Sequence, residues 1–526
     1  MEKFRPYAFS FLAGIVYSSG FPTGFGSGLL VTQLLGMGML LNTLLMNLSF
    51  KSRALHTIFF CLSYNIIGFY WVADTLAEFG KLPYIVAALL SLLFTFIIAP
   101  QLWIYMIGTH FLLKKQACLK FIQHRFSLFA VMAAGAFTLI EYFTPQQFPV
   151  MIGQPWAKLG DYLGWASIGG IPYFSFFSYL LIFEGIGLVR YRKVSFLNLF
   201  AVAAFIITNP ILKEQPKPIG KELKNLNVRL VQANISNFLK VDSEKGGYAS
   251  VSQVLNRYRD LSQMPYKKGS LDLLIWPETA YPYSMQSSKE VGKTQVPTLF
   301  QDLALRHGSS LFIGGYDSLG FSGDYFQSEY NSNFHINANG HYENVYHKHI
   351  LIPFGETLPF GPLNRTLSKY IENISFFSEG KSFPIFKIET GHTFISTICY
   401  EILKPEFLRK YLNSLEFRPH ALINLTNDSW YGDTSEPEQH LFLTTWRALE
   451  LDLPIIRSTN TGISSFINVN GQEEHRLGVG VTGNLDMELK LSRHAPTIFQ
   501  KYGFWSLMPV WLALFIFQLV LIRLRR

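Results

Sequence analysis

Long apolar runs and alternating half-buried segments divide this chain. Nearly unbroken apolar stretches occupy residues 7–21, 26–48, 54–78, 83–113, 126–145, 162–189, 194–212 and 503–523. A bilayer core of about 30 Å takes about 20 apolar residues as a helix, so the pattern predicts eight spanning helices. The first run is short and broken by Ser18-Ser19-Gly20, which raises the possibility of a signal peptide. Phe21-Pro22-Thr23-Gly24 offers no small-residue cleavage site, and a retained helix is the reading.

Near residue 225 the period changes. Asn227-Val228-Arg229-Leu230-Val231-Gln232-Ala233-Asn234 alternates like a half-buried strand. Further strands are predicted at 271–276, 310–316, 331–337, 341–347, 383–388, 394–398, 421–425 and 454–458. Helical periodicity falls between some of them, at 250–264, 296–306, 404–412 and 438–449. Interleaved strands and helices predict layered α/β packing around a mixed sheet. Asn339-Gly340 and Asn470-Gly471 are hairpin turn signals. Residues 213–221 read as a linker. The expected organisation is a membrane domain at 1–212 with seven helices, a polar α/β domain at 220–500, and the eighth membrane helix at 503–523.

Charge orients this arrangement. Lys and Arg gather at Lys3 and Arg5, at Lys51 and Arg53, at Lys114, Lys115, Lys120 and Arg125, at Arg190, Arg192 and Lys193, and at Arg523, Arg525 and Arg526. The loops between hold only Lys81 and Lys158. Basic clusters on alternate loops place both termini in the cytoplasm and the polar domain on the outer side. The net charge of +9 over 526 residues is mostly this signal, and it does not indicate nucleic-acid binding.

The chemistry lies in the polar domain. Its one thiol, Cys399, ends the apolar run Phe394-Ile395-Ser396-Thr397-Ile398, and Tyr400-Glu401 follow. The other cysteines, Cys61 and Cys118, lie in the apolar region, so the polar domain cannot form an internal disulfide. Glu278 follows Trp276 and Pro277, where the proline is expected to stop a buried strand. Lys348 follows Tyr346-His347 and precedes Ile350-Leu351-Ile352-Pro353-Phe354-Gly355-Glu356. A thiol, a carboxylate and an ammonium at strand ends are the parts of an activated-nucleophile acyl-transfer site. Taken singly, each has a plainer reading: Cys399 as a packed thiol, Glu278 as a turn acid, Lys348 as a rim lysine. His347 and His349 fall on the strand face opposite Lys348 and do not make a metal pair. Trp430 and Tyr431 in Asn427-Asp428-Ser429-Trp430-Tyr431-Gly432, and Gln439 and His440, are further polar-aromatic features.

In order and context these motifs resemble the nitrilase, or carbon–nitrogen hydrolase, superfamily. The matching pieces are Trp276-Pro277-Glu278, Tyr346-His347-Lys348 and Ile398-Cys399-Tyr400-Glu401. The membrane flanks, Gln232-Ala233-Asn234-Ile235, the Asn-Asp-Ser-Trp loop, Pro437-Glu438-Gln439-His440, and Arg457-Ser458-Thr459-Asn460 narrow the resemblance to the apolipoprotein N-acyltransferase family. It implies eight spanning helices and an αββα sandwich in a bacterial inner membrane, with the catalytic domain on the periplasmic side.

The resemblance also implies a reaction. Glu278 is the general base, Cys399 the nucleophile, and Lys348 with a backbone N–H the oxyanion donors. A phospholipid gives its acyl chain, and the N-terminal amine of a lipid-modified apolipoprotein receives it. No metal or cofactor is needed. Glu356 would support Lys348 or Glu278, while Tyr400, Glu401 and Trp430 would shape the site. Phe354, Leu358, Phe360, Phe376 and Phe377 are candidates for a lipid-contacting rim, or equally for core. Val241, Thr434 and Thr144 depart from the family pattern, and the first and third bear on lipid binding. The rival readings are a membrane-bound amidase for a small amide and a catalytically silent lipoprotein-binding paralogue.

Overall fold

The structure is a computed structural model. It describes all residues except 1–4, 24–25, 28, 81, 147, 214–216, 267–268, 288–295, 323–324, 354, 359–360, 365–376 and 525–526. Lys3, Lys81, Phe354, Phe360, Phe376, Arg525 and Arg526 therefore lie outside the described residues. The chain divides into two compact units. One comprises Met1–Gln215, Thr434–Leu451 and Thr497–Arg526, and the other Pro216–Asp433 and Asp452–Pro496.

The first unit is helical. Among the described residues, Phe126–Phe143, Ala166–Tyr191 and Ile498–Leu524 are long and apolar enough to cross a membrane, and two bent pairs bring the number to as many as five. Each predicted run carries helix, but several are shorter or broken. The first gives the 14-residue Arg5–Ser18, and Leu30–Leu44 and Phe196–Leu212 fall short of 18 residues. The run at 54–78 becomes Phe50–Gly68 and a helix from Trp71, bent by 68°. Gln439 fills that break: its amide donates to the carbonyls of Gly68 and Pro22 and accepts from the Trp71 indole. The run at 83–113 bends by 44° before Pro100, whose ring cannot continue the preceding helix. Ala166–Tyr191 is itself interrupted at Gly170, which has φ +60 and lies two residues before Pro172. The freed Ile171 N–H donates to Glu450 Oε1 at 2.9 Å. Hydropathy registers none of these breaks, because the apolar composition continues through them.

The second unit is a two-sheet sandwich. Its strands are β1 (Leu226–Gln232), β2 (Leu273–Met285), β3 (Ser310–Ser322), β4 (Tyr325–Ile336), β5 (Tyr342–His347), β6 (Phe386–Lys387), β7 (Thr393–Ile398), β8 (Ala421–Thr426), β9 (Ile455–Thr459), β10 (Ser464–Ile467), β11 (Glu473–Leu477) and β12 (Gly483–Leu489). One sheet has the order β12-β1-β2-β3-β4-β5 and the other β11-β10-β9-β8-β7-β6. In each, three parallel strands carry antiparallel flanks. Strands β1, β2 and β4 touch β9, β8 and β7 across the sandwich. Helices Tyr248–Gln263 and Thr298–His307 pack on the first sheet through Val254, Tyr258, Leu261, Phe300 and Leu303. Both Asn-Gly signals are turns, with Gly340 at φ +76 and Gly471 at φ +70.

Proline does not stop β2. The strand runs on through Pro277 and Glu278, and its pairing jumps from Trp276↔Ile313 to Tyr281↔Gly315. Pro277 has no N–H to pair, so the chain bulges there instead of ending. Gly314 permits the bulge, because a Cβ on it would meet the Pro277 carbonyl oxygen at 2.0 Å.

Three interior histidines give the second unit a pH dependence. Burial holds His335, His392 and His420 down at about 4. An unfolded histidine titrates near 6.5. Between those values the unfolded chain binds more protons, so stability falls as the pH falls. The contribution is full above about 6.5 and is lost toward about 4. The thermal midpoint of the purified protein in detergent is expected to drop between about pH 7 and about pH 5, and less steeply in His392→Gln. A flat midpoint over that range contradicts this.

Candidate active site

Glu278 leaves the β2 bulge with its side chain buried. Its Oε1 accepts from Asn331 Nδ2 at 2.8 Å, and its Oε2 accepts from the Asn427 backbone N–H at 2.8 Å. The next residue, Thr279, has φ +47, a conformation rare for a residue with a Cβ. Lys348 follows β5 directly, and its backbone N–H donates to the Asn331 carbonyl at 2.9 Å. That bond continues the β4–β5 ladder by one residue and carries the side chain inward, where it is 0% exposed. Its Nζ lies 3.3 Å from Glu278 Oε1 and 2.8 Å from Glu356 Oε1. Glu356 is held in turn: Oε1 also accepts from Asn331 Nδ2 at 3.0 Å, and Oε2 accepts from the Ile352 N–H at 2.9 Å.

Cys399 ends β7 with φ +54 and opens the turn Cys399–Leu403. Glu401 secures that turn. Its Oε1 accepts from the N–H groups of His349 and Ile350 at 2.6 and 3.0 Å, and its Oε2 from Tyr346 Oη and the Ile398 N–H at 2.7 and 2.8 Å. One carboxylate thus takes four donors and ties the end of β7 to the residues on either side of Lys348. Burial pushes Glu401 up to about 7, against the pull of its donors and of Lys348.

The charges balance unevenly. Burial alone lowers the Lys348 ammonium, but Glu356, Glu278 and Cys399 together raise it well above the usual lysine range. Burial first, and then the Glu278 charge, push the Cys399 thiol well above the usual range, while Lys348 opposes them. One ammonium shared by two carboxylates cannot hold a free thiolate as well. The resting site is therefore a protonated thiol beside a carboxylate and a charged lysine. Such a set can remove a thiol proton during attack and stabilise oxygen charge as it develops.

Glu278, Lys348, Cys399 and Glu356 thus fall within electrostatic reach of one another, and Glu401 stands behind them. Tyr400 is buried beneath the Lys404 ammonium, which lies 4.8 Å from its ring centre. Trp430 sits half-exposed in the turn Ser429–Tyr431. Leu358 is buried and Phe377 is half-buried against Tyr316, with ring centres 5.7 Å apart. His347 pairs with Asp317 at 2.7 Å and His349 stacks on Phe383.

Asn331 was not singled out in the sequence, although its single Nδ2 joins Glu278 to Glu356. Asn331 and Asn333 are buried polar residues at alternate positions of one strand, and that burial becomes visible only in the fold. The Asn427 N–H had no signal, because a backbone group carries none.

Two family descriptions match the chain. Carbon–nitrogen hydrolase covers residues 227–491, and the apolipoprotein N-acyltransferase N-terminal domain covers 13–183. Among curated relatives, the apolipoprotein N-acyltransferase of Bdellovibrio bacteriovorus is 29% identical over 86% of this chain and 82% of its own length. That of Haemophilus ducreyi is 27% identical over 86% of this chain and 85% of its own. That of Rhodopseudomonas palustris is 31% identical over 66% and 62%.

Proposed function

The chain belongs to the carbon–nitrogen hydrolase family, among its apolipoprotein N-acyltransferases, and from that premise we propose how its own residues perform the transfer. The enzyme moves an acyl chain from a phospholipid to the N-terminal amine of a diacylglyceryl-cysteine lipoprotein, through a cysteine thioester. The observation that carries the assignment of residues is the buried contact of Lys348 with Glu278 beside the strained Cys399 turn.

In the first half-reaction the Cys399 sulfur attacks the ester carbonyl while Glu278 takes the thiol proton. Lys348 and a backbone N–H of the turn hold the oxyanion. The ester C–O bond breaks, and Glu278 passes the proton to the departing lysophospholipid. In the second half-reaction the lipoprotein amine attacks the thioester and gives its proton to Glu278. The C–S bond breaks and the proton returns to Cys399. Because the thiol rests protonated, Glu278 must take its proton as sulfur bonds to carbon. Glu356 anchors Lys348 and Glu401 fixes the turn. Tyr400 borders the site, and Trp430 and Phe377 are candidates for substrate contact. Leu358 is buried and fits the core reading.

Glu278→Gln keeps the shape of the side chain and removes the proton acceptor. It is expected to slow thioacylation by about 10²–10⁴-fold. Single-turnover formation of the acyl-enzyme reads this directly, and a near-normal rate contradicts the role.

The protein sits in the inner membrane with eight crossings and the catalytic unit on the periplasmic side, as the alternate basic loops support. Lys245→Cys and Gln116→Cys, each at an exposed position in a background lacking the three native thiols, test the sidedness. A membrane-impermeant reagent on intact spheroplasts should label the first and spare the second. The reverse pattern contradicts it.

A further inference from the structure

Thr397, Asn424 and Arg457 stand side by side on the parallel strands β7, β8 and β9, and all three are fully buried. Asn424 Nδ2 donates to Thr397 Oγ1 at 3.1 Å and to the Cys399 carbonyl at 3.2 Å. Its Oδ1 accepts from Arg457 Nη1 at 2.7 Å and from Thr426 Oγ1 at 3.2 Å. The other arm of Arg457 reaches Asp428 Oδ2 at 3.2 Å, with both side chains 0% exposed. A continuous chain of contacts therefore runs from Asp428 through Arg457 and Asn424 to the backbone of the nucleophile. The acyl transfer described above uses none of these three side chains.

The contact falls where the backbone needs it. Cys399 is a non-glycine residue at φ +54, a conformation that persists only when its surroundings enforce it. Asn424 grips the carbonyl on the far side of that residue. Because an amide can present either end, something must orient it, and a guanidinium on Oδ1 leaves only Nδ2 for the carbonyl. The charged groups facing the thiol are Glu278, Lys348, Glu356 and Asp428, with Tyr400 and Glu401 on its own turn. Asp428 is among those that push the thiol up, and it is also the one that Arg457 meets.

We propose that Asn424, oriented by Arg457, is a positioning residue that holds the Cys399 turn by its carbonyl, and that Arg457 masks the Asp428 charge beside the thiol. The proposal rests on Cys399 being the nucleophile.

Its test uses the full-length protein in detergent, with Cys61 and Cys118 changed to Ala. The readouts are the rate of Cys399 alkylation by iodoacetamide against pH and the rate of thioacylation by phospholipid. Asp428→Asn removes a negative charge and is expected to speed alkylation about tenfold at each pH. Asn424→Asp adds one and is expected to slow alkylation about tenfold. Its carboxylate can still meet Arg457, which then faces two carboxylates, so the added charge is only partly offset. The variant loses the donor to the carbonyl, so thioacylation should slow by about 10²-fold with the half-saturating phospholipid concentration unchanged. A purely structural role would move both alkylation rates in one direction, and that result overturns the proposal. So does unchanged thioacylation in Asn424→Asp. If Asp428→Asn fails to fold, an unmoved alkylation rate in Asn424→Asp overturns the proposal alone. Alkylation reads the thiol whether or not transfer occurs. The expected opposite shifts in a protein that forms no thioester would therefore uphold the electrostatic role while the transfer reading fails.

Discussion

Cys399→Ala is expected to reduce acyl transfer to a diacylglyceryl-cysteine lipopeptide below detection while leaving the thermal midpoint nearly unchanged. The substitution removes the only thiol of the second unit, since Cys61 and Cys118 belong to the first. Alanine meets the same backbone demand at φ +54 as cysteine does, and the Asn424 contact is to a carbonyl that alanine retains. The fold thus loses little and the chemistry loses its covalent intermediate. Cys399→Ser is expected to be equally inactive, because Glu278 would have to deprotonate a far weaker acid and the ester formed would resist the amine. Transfer that persists in Cys399→Ala, measured by the mass of the lipopeptide, contradicts the assignment.

Lys348→Met should damage both rate and fold. Among the described residues, the ammonium is the only positive charge that Glu278 and Glu356 contact. Removing it takes away an oxyanion donor, a loss of about 10²–10³-fold in rate. It also leaves the buried Glu278 and the part-buried Glu356 without their cation, and breaking a buried pair costs about 3–5 kcal/mol. The two effects separate in the double variant Lys348→Met with Glu356→Gln. Removing one carboxylate should recover much of the thermal midpoint and none of the rate. Recovery of the rate would mean that Lys348 serves only to neutralise Glu356.

Two of the proposed site residues were legible because each stands just past the end of an apolar strand: Cys399 follows β7 and Lys348 follows β5. Glu278 was legible because Pro277 interrupts the apolar run before it, although the strand continues through both. Turn chemistry likewise exposed the two hairpins, as Asn-Gly permits a positive φ that other pairs resist. The bulge at Pro277 was read as an end because proline breaks pairing in general. What rescues the strand is Gly314 on the neighbouring β3, a partner that local reading does not see. The breaks in the membrane unit were hidden for a related reason. Gln439 and Glu450 satisfy the exposed backbone at Gly68 and Ile171 from residues hundreds of positions away. Helix Asn237–Glu244 and strands β10 to β12 were missed because they are short and mostly polar or mixed in pattern. Asn331 and Asn424 escaped notice as single polar residues inside otherwise ordinary strands, and Arg457 was noticed only as part of a motif, with no role. Their meaning comes only from strand register, which places them beside Glu278, Cys399 and Asp428.

In the proposed transfer, a thioester on Cys399 links the phospholipid to the lipoprotein. The most direct test is intact and peptide mass measurement of the purified wild-type protein, first with phospholipid and then with an added diacylglyceryl-cysteine lipopeptide. One acyl adduct is expected, on the peptide that contains Cys399. It should survive in buffer and disappear on adding the lipopeptide, which gains the same mass as an amide. An adduct that is released as free fatty acid without reaching the lipopeptide, or no adduct on Cys399 at all, would contradict the proposed transfer.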